Sequence, residues 1–235
     1  MLQAPSPSAP FLGILMLDTR FPRPLGDIGN AQTWAQLGIP VRMYKVQGAS
    51  PAKIVQEADP RFVQPFVAAA QSLVAEGAAL ISTSCGFLAA YQDLLAASVP
   101  VPVVSSSLLQ CADLPAPGIV TIAATSLNPR ILLAAGVVAG TPVQGVAPDS
   151  EFATRILRNE THMDIAQAER DVVAAAVALQ RAHPHIESIV LECTNMPVYR
   201  EAVARATGLP VHDVVSLLAE RWAALALAPQ ASSTL

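Results

Sequence analysis

Ile81-Ser-Thr-Ser-Cys85-Gly86-Phe87 and Ile189-Val-Leu-Glu-Cys193-Thr194-Asn195-Met196-Pro197 are the two stretches on which the fold turns. In each, an apolar run reaches a cysteine and then meets small or polar residues that open a helical pattern. The cysteines are offset by 108 positions (193 − 85), and at that offset Ile81 falls on Ile189, Tyr91 on Tyr199, Pro102 on Pro210, Val103 on Val211 and Leu109 on Leu217. Gly13-Ile14 falls on Gly118-Ile119, and Pro24 on Pro129, at an offset of 105 (118 − 13). Cysteine, tyrosine and proline in register are harder to obtain by chance than Leu on Val. The pattern predicts two similar α/β lobes related by a pseudo-twofold, each supplying one cysteine at the same structural place.

Outward from these motifs, apolar runs alternate with helical patterns. Phe11 to Leu17, Val41 to Val46, Ala78 to Thr83 and Val101 to Val104 read as strands; Pro65 to Glu76 and Gly86 to Ala97 read as helices. After the Pro-rich stretch Asp113–Gly118 the order restarts. Strands are expected at Ile119 to Ala123, Val143 to Val146, Glu187 to Leu191 and Val211 to Val214, and helices at Ser126 to Ala139, Met163 to Ala182, Met196 to Thr207 and Val215 to Ala228. Such alternation argues for parallel sheets with right-handed crossovers. The expected organisation is a loose tail at 1–10, a first lobe at 11–112 and a second at 113–214, with the last helix, 215–228, packing back on the first lobe. The Pro- and Gly-rich segment Asp18 to Asn30 is too long for a plain connection and reads as a binding loop.

Composition removes whole classes of function. Of 235 residues 52% are hydrophobic and 14% charged, enough to bury a core. The net charge of −4 offers no electrostatic footprint for nucleic acid or an anionic membrane. The mean hydropathy of +0.44 is high, but the longest uncharged run, Leu94 to Ala112, is broken by Pro100, Pro102 and Ser105-Ser106-Ser107, so no membrane span is expected. Three cysteines are too few, and odd in number, for a disulfide framework. Met1 to Pro10 lacks the basic residues of a signal peptide, and a reducing cytoplasm is the simplest setting.

Parallel sheets bind ligands at the carboxyl ends of their strands, where both Cys85 and Cys193 are expected. A helix N-terminus beside each sulfur is expected to lower its pKa. Two thiols across a cleft suit two-base proton transfer at carbon: a thiolate takes the proton next to a carboxylate, and a thiol returns one on the opposite face. Thr83, Ser84, Thr125, Thr194 and Asn195 are candidate donors to the developing enolate. Cys111 has no such setting and reads as a core or linker thiol. Arg20 and Arg23 read as solvated surface residues, and Gly26-Asp27-Ile28-Gly29-Asn30 as turn and helix-cap chemistry. His162, His183, His185 and His212 have no partners at ligand spacing, so no metal site is expected. There is no Gly-rich phosphate loop. Tyr91 and Tyr199 read as packing residues with a polar tip.

Thr83-Ser84-Cys85-Gly86, Glu192-Cys193-Thr194-Asn195-Met196-Pro197 and Leu17-Asp18-Thr19 together resemble the cofactor-independent aspartate/glutamate/hydantoin racemase superfamily, over about Phe11 to Trp222. The resemblance implies two similar α/β lobes with an active site in the cleft between them, no pyridoxal phosphate, no metal, a homodimer, and a cysteine pair as acid and base. It assigns Asp18, Thr19, Gly86, Phe87, Thr194 and Asn195 to holding the substrate's carboxylate and amine. Asn195 stands where glutamate racemases have His, and Gly86 where they often have Asn. The expected function is racemisation of a small amino acid of the aspartate or glutamate type. Hydantoin racemisation and maleate cis–trans isomerisation are alternatives within the superfamily, and a small-molecule binding module is the alternative outside it. Retention of both cysteines disfavours an arylmalonate decarboxylase.

Overall fold

Phe11–Met16 (β1) is buried at every position, as a strand covered on both faces must be. In the computed structural model, which describes residues 9–227, β1 pairs in parallel with β2 (Val41–Lys45) and β3 (Ala78–Thr83), and β3 pairs with β4 (Val103–Val104). The order is β2-β1-β3-β4. The second sheet repeats it: β5 (Pro117–Thr121) lies between β6 (Val143–Gly145) and β7 (Ser188–Leu191), and β8 (Val211–His212) flanks β7, giving β6-β5-β7-β8. The expected two-lobe α/β architecture is therefore present.

The sequence offsets are the register of these sheets. Ile81 lies opposite Val103 and Ile189 opposite Val211; Gly13 lies opposite Ile81 and Gly118 opposite Ile189. The paired glycines have one physical cause. A Cβ at Gly13 would stand 2.7 Å from Ile81 Cδ1 and 3.0 Å from Leu73 Cδ1, and one at Gly118 would stand 2.9 Å from both Ile186 Cδ1 and Leu179 Cδ2. Leu73 and Leu179 belong to α2 (Val63–Ala75) and α6 (Ile165–Ala182), so each glycine lets a long helix settle on its central strand.

A continuous apolar core runs through both lobes and includes Cys85, Phe87, Ile122, Cys193 and Tyr199. A second cluster sits on the other face of the first sheet, where Leu217 and Leu218 of the last helix meet Leu12, Ile14, Trp34 and Leu80. Among the described residues no helix is long and apolar enough to cross a membrane. The expected tail falls largely outside the described residues, as does Ala228.

The sequence expectation differs from the structure in the short helices. The segments after the two cysteines start as 3-10 turns, Gly86–Tyr91 and Pro197–Tyr199, before α3 (Gln92–Ser98) and α7 (Arg200–Thr207). The helix expected over Ser126 to Ala139 is reduced to α4 (Pro129–Ala134), since Asn128 caps its start and Gly136, at φ 71°, follows its end. Two helices escaped the periodicity: α1 (Ala31–Gln36), capped by Asn30, and α5 (Glu151–Leu157), capped by Ser150. Six or seven residues give too few turns for an apolar stripe to stand out. The closing helix, α8, spans Val214–Leu227.

Candidate active site

Cys85 follows β3 and Cys193 lies two residues beyond β7, so the repeat carries both sulfurs to equivalent places. Hydrogen bonds join the two places. The Thr194 hydroxyl donates to the Ser84 carbonyl at 2.8 Å, and the Ser107 hydroxyl donates to the Leu191 carbonyl at 2.7 Å. Both cysteines line one cleft with Ser84, Gly86, Glu192, Thr194 and Asn195. Its remaining wall is apolar: Leu17, Phe21, Pro51, Val55, Phe87, Ile122, Ile156 and Leu157. Among the described residues no Lys, Arg or His side chain lines it. The cleft's cavity volume is about 20 Å³, barely room for one water.

The electrostatics reverse one expectation. Burial pushes the Cys85 thiol up to about 12, the Glu192 carboxylate adds to that rise, and the Phe87 and Leu88 amides pull the other way. Cys193 is likewise raised, by burial first and Glu192 second. The amides predicted at the helix starts are present, but desolvation and a like charge outweigh them. Glu192 itself is fully buried. Thr121 donates to its Oε2 at 2.7 Å, and Oε1 has no hydrogen-bond partner among the described residues. Burial raises this carboxyl to about 7. Gly86 is required here, because a Cβ on it would lie 2.2 Å from Glu192 Oε1 and 2.5 Å from the Glu192 carbonyl oxygen.

The first loop folds over the second motif. Asp27, 1% exposed, accepts from Arg23 Nη1 at 2.7 Å, from Gly29 N at 2.7 Å and from Asn195 Nδ2 at 2.6 Å. Arg23 is therefore no solvated surface residue: its side chain is 14% exposed and its other arm donates to Thr19 Oγ1. Arg20 stays exposed, but its backbone N–H donates to Asn159 Oδ1, and Asn159 Nδ2 donates to the Asp18 carbonyl. A residue of the second lobe thus straps the first loop.

The structure brings together Cys85, Cys193, Ser84, Gly86, Phe87, Thr194 and Asn195 around the cleft, and leaves four other candidates outside its lining. The Asp18 carboxylate is occupied by Gly48 N and Lys45. Thr19 is held by Arg23. The Thr83 hydroxyl donates to the Ser105 carbonyl and shapes the strand end. Thr125 is exposed on a neighbouring open groove. Sequence reasoning gave no role to Glu192 and read Asp27 as turn chemistry. A carboxylate beside a cysteine motif was the only signal for the first, and nothing local distinguished the second. Cys111 is buried in the 3-10 turn Ser107–Asp113, away from the cleft. The Tyr199 ring packs as expected, edge-on to Phe152, but its hydroxyl has no partner among the described residues. Among those residues no three His, Cys, Asp or Glu side chains cluster as metal ligands would.

Unliganded arylmalonate decarboxylase superposes on the chain with a TM-score of 0.55 at 19% identity, covering 95% of each chain. Aspartate racemase from Picrophilus torridus gives 0.54 at 12% identity, covering 93% of this chain and 94% of that one. Glutamate racemase from Francisella tularensis, in complex with D-glutamate, gives 0.55 at 14% identity, covering 92% and 80%. The chain has the aspartate/glutamate racemase superfamily fold. No family model matches it. Among curated proteins it is 29% identical to a dimethylsulfoniopropionate lyase of Durusdinium over 87% of its length and 71% of that protein's. It is also 24% and 29% identical to lyases 5 and 7 of Emiliania huxleyi, of which it spans 44% and 64%. These relatives and neighbours are enzymes, racemases, decarboxylases and lyases alike.

Proposed function

We propose that this chain removes a proton from the carbon next to a carboxylate, with Cys85 or Cys193 as the thiolate base. The observation that carries the reading is a single cleft lined by both thiols and closed by apolar side chains. Desolvation makes a thiolate there a strong base. The substrate itself comes from the character of the wall. Among the described residues Glu192 is the only carboxylate lining the cleft, and burial inclines it to keep its proton, so the wall suits a cation without N–H groups better than an α-ammonium group, which would leave its N–H donors unsatisfied. Methyl groups suit Phe21, Val55, Phe87 and Ile122 better.

The lead reaction is therefore elimination from a small sulfonium carboxylate, dimethylsulfoniopropionate, which the similarity to lyases of that name supports. The thiolate takes the α-proton, its electron pair forms the C=C bond, and the C–S bond breaks with its pair leaving on sulfur. Dimethyl sulfide and acrylate result, and the thiol returns its proton to solvent. Racemisation of a small amino acid is the second reading, favoured by the placement of one thiol at the equivalent end of each lobe.

The test is incubation in heavy water with dimethylsulfoniopropionate and, separately, with single enantiomers of aspartate and glutamate. Dimethyl sulfide in the headspace with acrylate in solution supports elimination. Deuterium at the α-carbon with loss of optical activity supports racemisation. Cys85→Ser and Cys193→Ser should each lower the rate by roughly 10²- to 10⁴-fold, the usual worth of a positioned acid or base, and Cys111→Ser should leave it within twofold. Neither product nor exchange on any of these substrates would end the proposal.

A further inference from the structure

We propose that Glu192 works as a neutral carboxylic acid, donating a hydrogen bond from Oε1 to the substrate carboxylate in the thiol cleft and holding the charge that develops there. The inference rests on the α-proton reading above and assigns a further catalytic residue to it.

Taking a proton from the carbon next to a carboxylate places a second negative charge on the same few atoms. A site for that reaction needs a donor of its own. Among the described residues no cationic side chain lines the cleft, and its Thr194 and Asn195 side chains already donate within the protein. The Thr194 hydroxyl donates to the Ser84 carbonyl, the Ser84 hydroxyl oxygen receives Leu17 N–H, and Asn195 donates to Asp27 and receives the Cys193 thiol. Glu192 Oε1 is buried beside Gly86 and has no partner among the described residues, and both Glu192 and Gly86 line the cleft. Thr121 fixes the opposite oxygen, so the free one cannot turn away without losing that bond.

An ionised Glu192 would repel the substrate and oppose thiolate formation at both sulfurs; a protonated one does neither. The titratable groups around the carboxyl are Cys85 at the end of β3 and Cys193 next along its own strand end. Asp27 of the first loop and Tyr199 of the 3-10 turn stand behind Cys193, with Asp27 tied to Arg23. None supplies a positive charge that would keep Glu192 ionised. The same balance favours one negative charge in the cleft at a time: carboxylate or thiolate, not both.

The experiment uses Glu192→Gln and Glu192→Ala in the full chain. With the substrate that wild type turns over, Glu192→Gln, which keeps an N–H donor, should stay within tenfold of wild type, and Glu192→Ala should lose 10²-fold or more, the usual cost of one such donor. Propionate binding, read by calorimetry at pH 6 and pH 8, needs no turnover. Wild type should bind more weakly at pH 8, Glu192→Gln equally at both, and Glu192→Ala at least tenfold more weakly than wild type at pH 6. Equal activity and binding in Glu192→Ala would overturn the assignment. So would a Glu192→Gln variant as impaired as Glu192→Ala, or wild type that does not bind propionate at pH 6. If wild type binds propionate with the expected pH dependence but processes no tested substrate, the reaction reading fails while the donor role stands.

Discussion

Glu192→Gln should make the protein more stable at neutral pH, and the gain should vanish in acid. The wild-type carboxyl is raised from an ordinary 4.5 to about 7 by burial. Below about pH 4 it is protonated in both the folded and the unfolded chain, and folding carries no penalty. Between pH 4.5 and 7 the unfolded chain gives up this proton while the folded one keeps it, so stability falls as pH rises and levels off above 7. At about 1.4 kcal/mol per pH unit, that span corresponds to roughly 3 kcal/mol. Gln keeps the shape and the contact with Thr121 and has no proton to lose. Urea midpoints of the two proteins at half-unit steps from pH 4 to 8 isolate the effect. Buried Asp213, also raised by burial, is common to both and cancels in the difference. For a chain of this size the gap at pH 8 corresponds to roughly 6–12 °C in Tm. A difference that stays flat across pH 4–8, or that favours wild type at pH 8, would refute the claim that this carboxyl is buried without a counter-charge.

Gly86→Ala should abolish activity and cost about 1–3 kcal/mol or more, because the added methyl meets the Glu192 carboxyl and its backbone at once; thermal denaturation and turnover check it. Asp27→Asn leaves Arg23 largely buried without its anion and weakens the Asn195 contact, so a loss of about 2–4 kcal/mol is expected in urea unfolding, below the 3–5 of a fully buried pair. Asn159→Gly suits the φ of 55° at that position but removes both bonds to the first loop. At an exposed strap this should cost about 1 kcal/mol, and limited proteolysis within 19–30 should become faster while the core retains its protection. An unchanged cleavage rate would mean the strap does not hold the loop.

The fold was legible because the duplication is written into sheet register. Ile81 and Ile189 occupy one position in two sheets, Gly13 and Gly118 another, and close packing demands the same residue type at both. The cysteines were legible for the same reason. The charges around them were not. Arg23, Asp27 and Asn195 are separated by up to 172 positions (195 − 23), and only the closed first loop joins them. Thr125 lies outside the cleft lining because α4 begins later than the apolar pattern implied, which leaves the turn before it exposed.

The sign of the thiol shift depended on burial, which a local motif does not report. A strand end before a helix predicts a lowered thiol, yet both sulfurs lie in the apolar core with a carboxylate beside them. That outcome changes the chemistry expected of them. A thiol with a depressed pKa would be ionised at rest and a modest base, whereas a thiol raised by burial is neutral at rest and, once ionised, a stronger base. The cleft then has to supply what ionises it. The cleft as it stands has little free volume. Opening at the Asn159 strap would wet the thiols and let a proton leave; closing over the substrate would strip the water and raise the basicity of the thiolate left behind. The order of those events is measurable. If opening precedes ionisation, Asn159→Gly should alkylate faster with iodoacetamide at Cys85 and Cys193 while the rate at Cys111 stays the same. A rate unchanged at the two cleft thiols would show that the strap does not control their exposure.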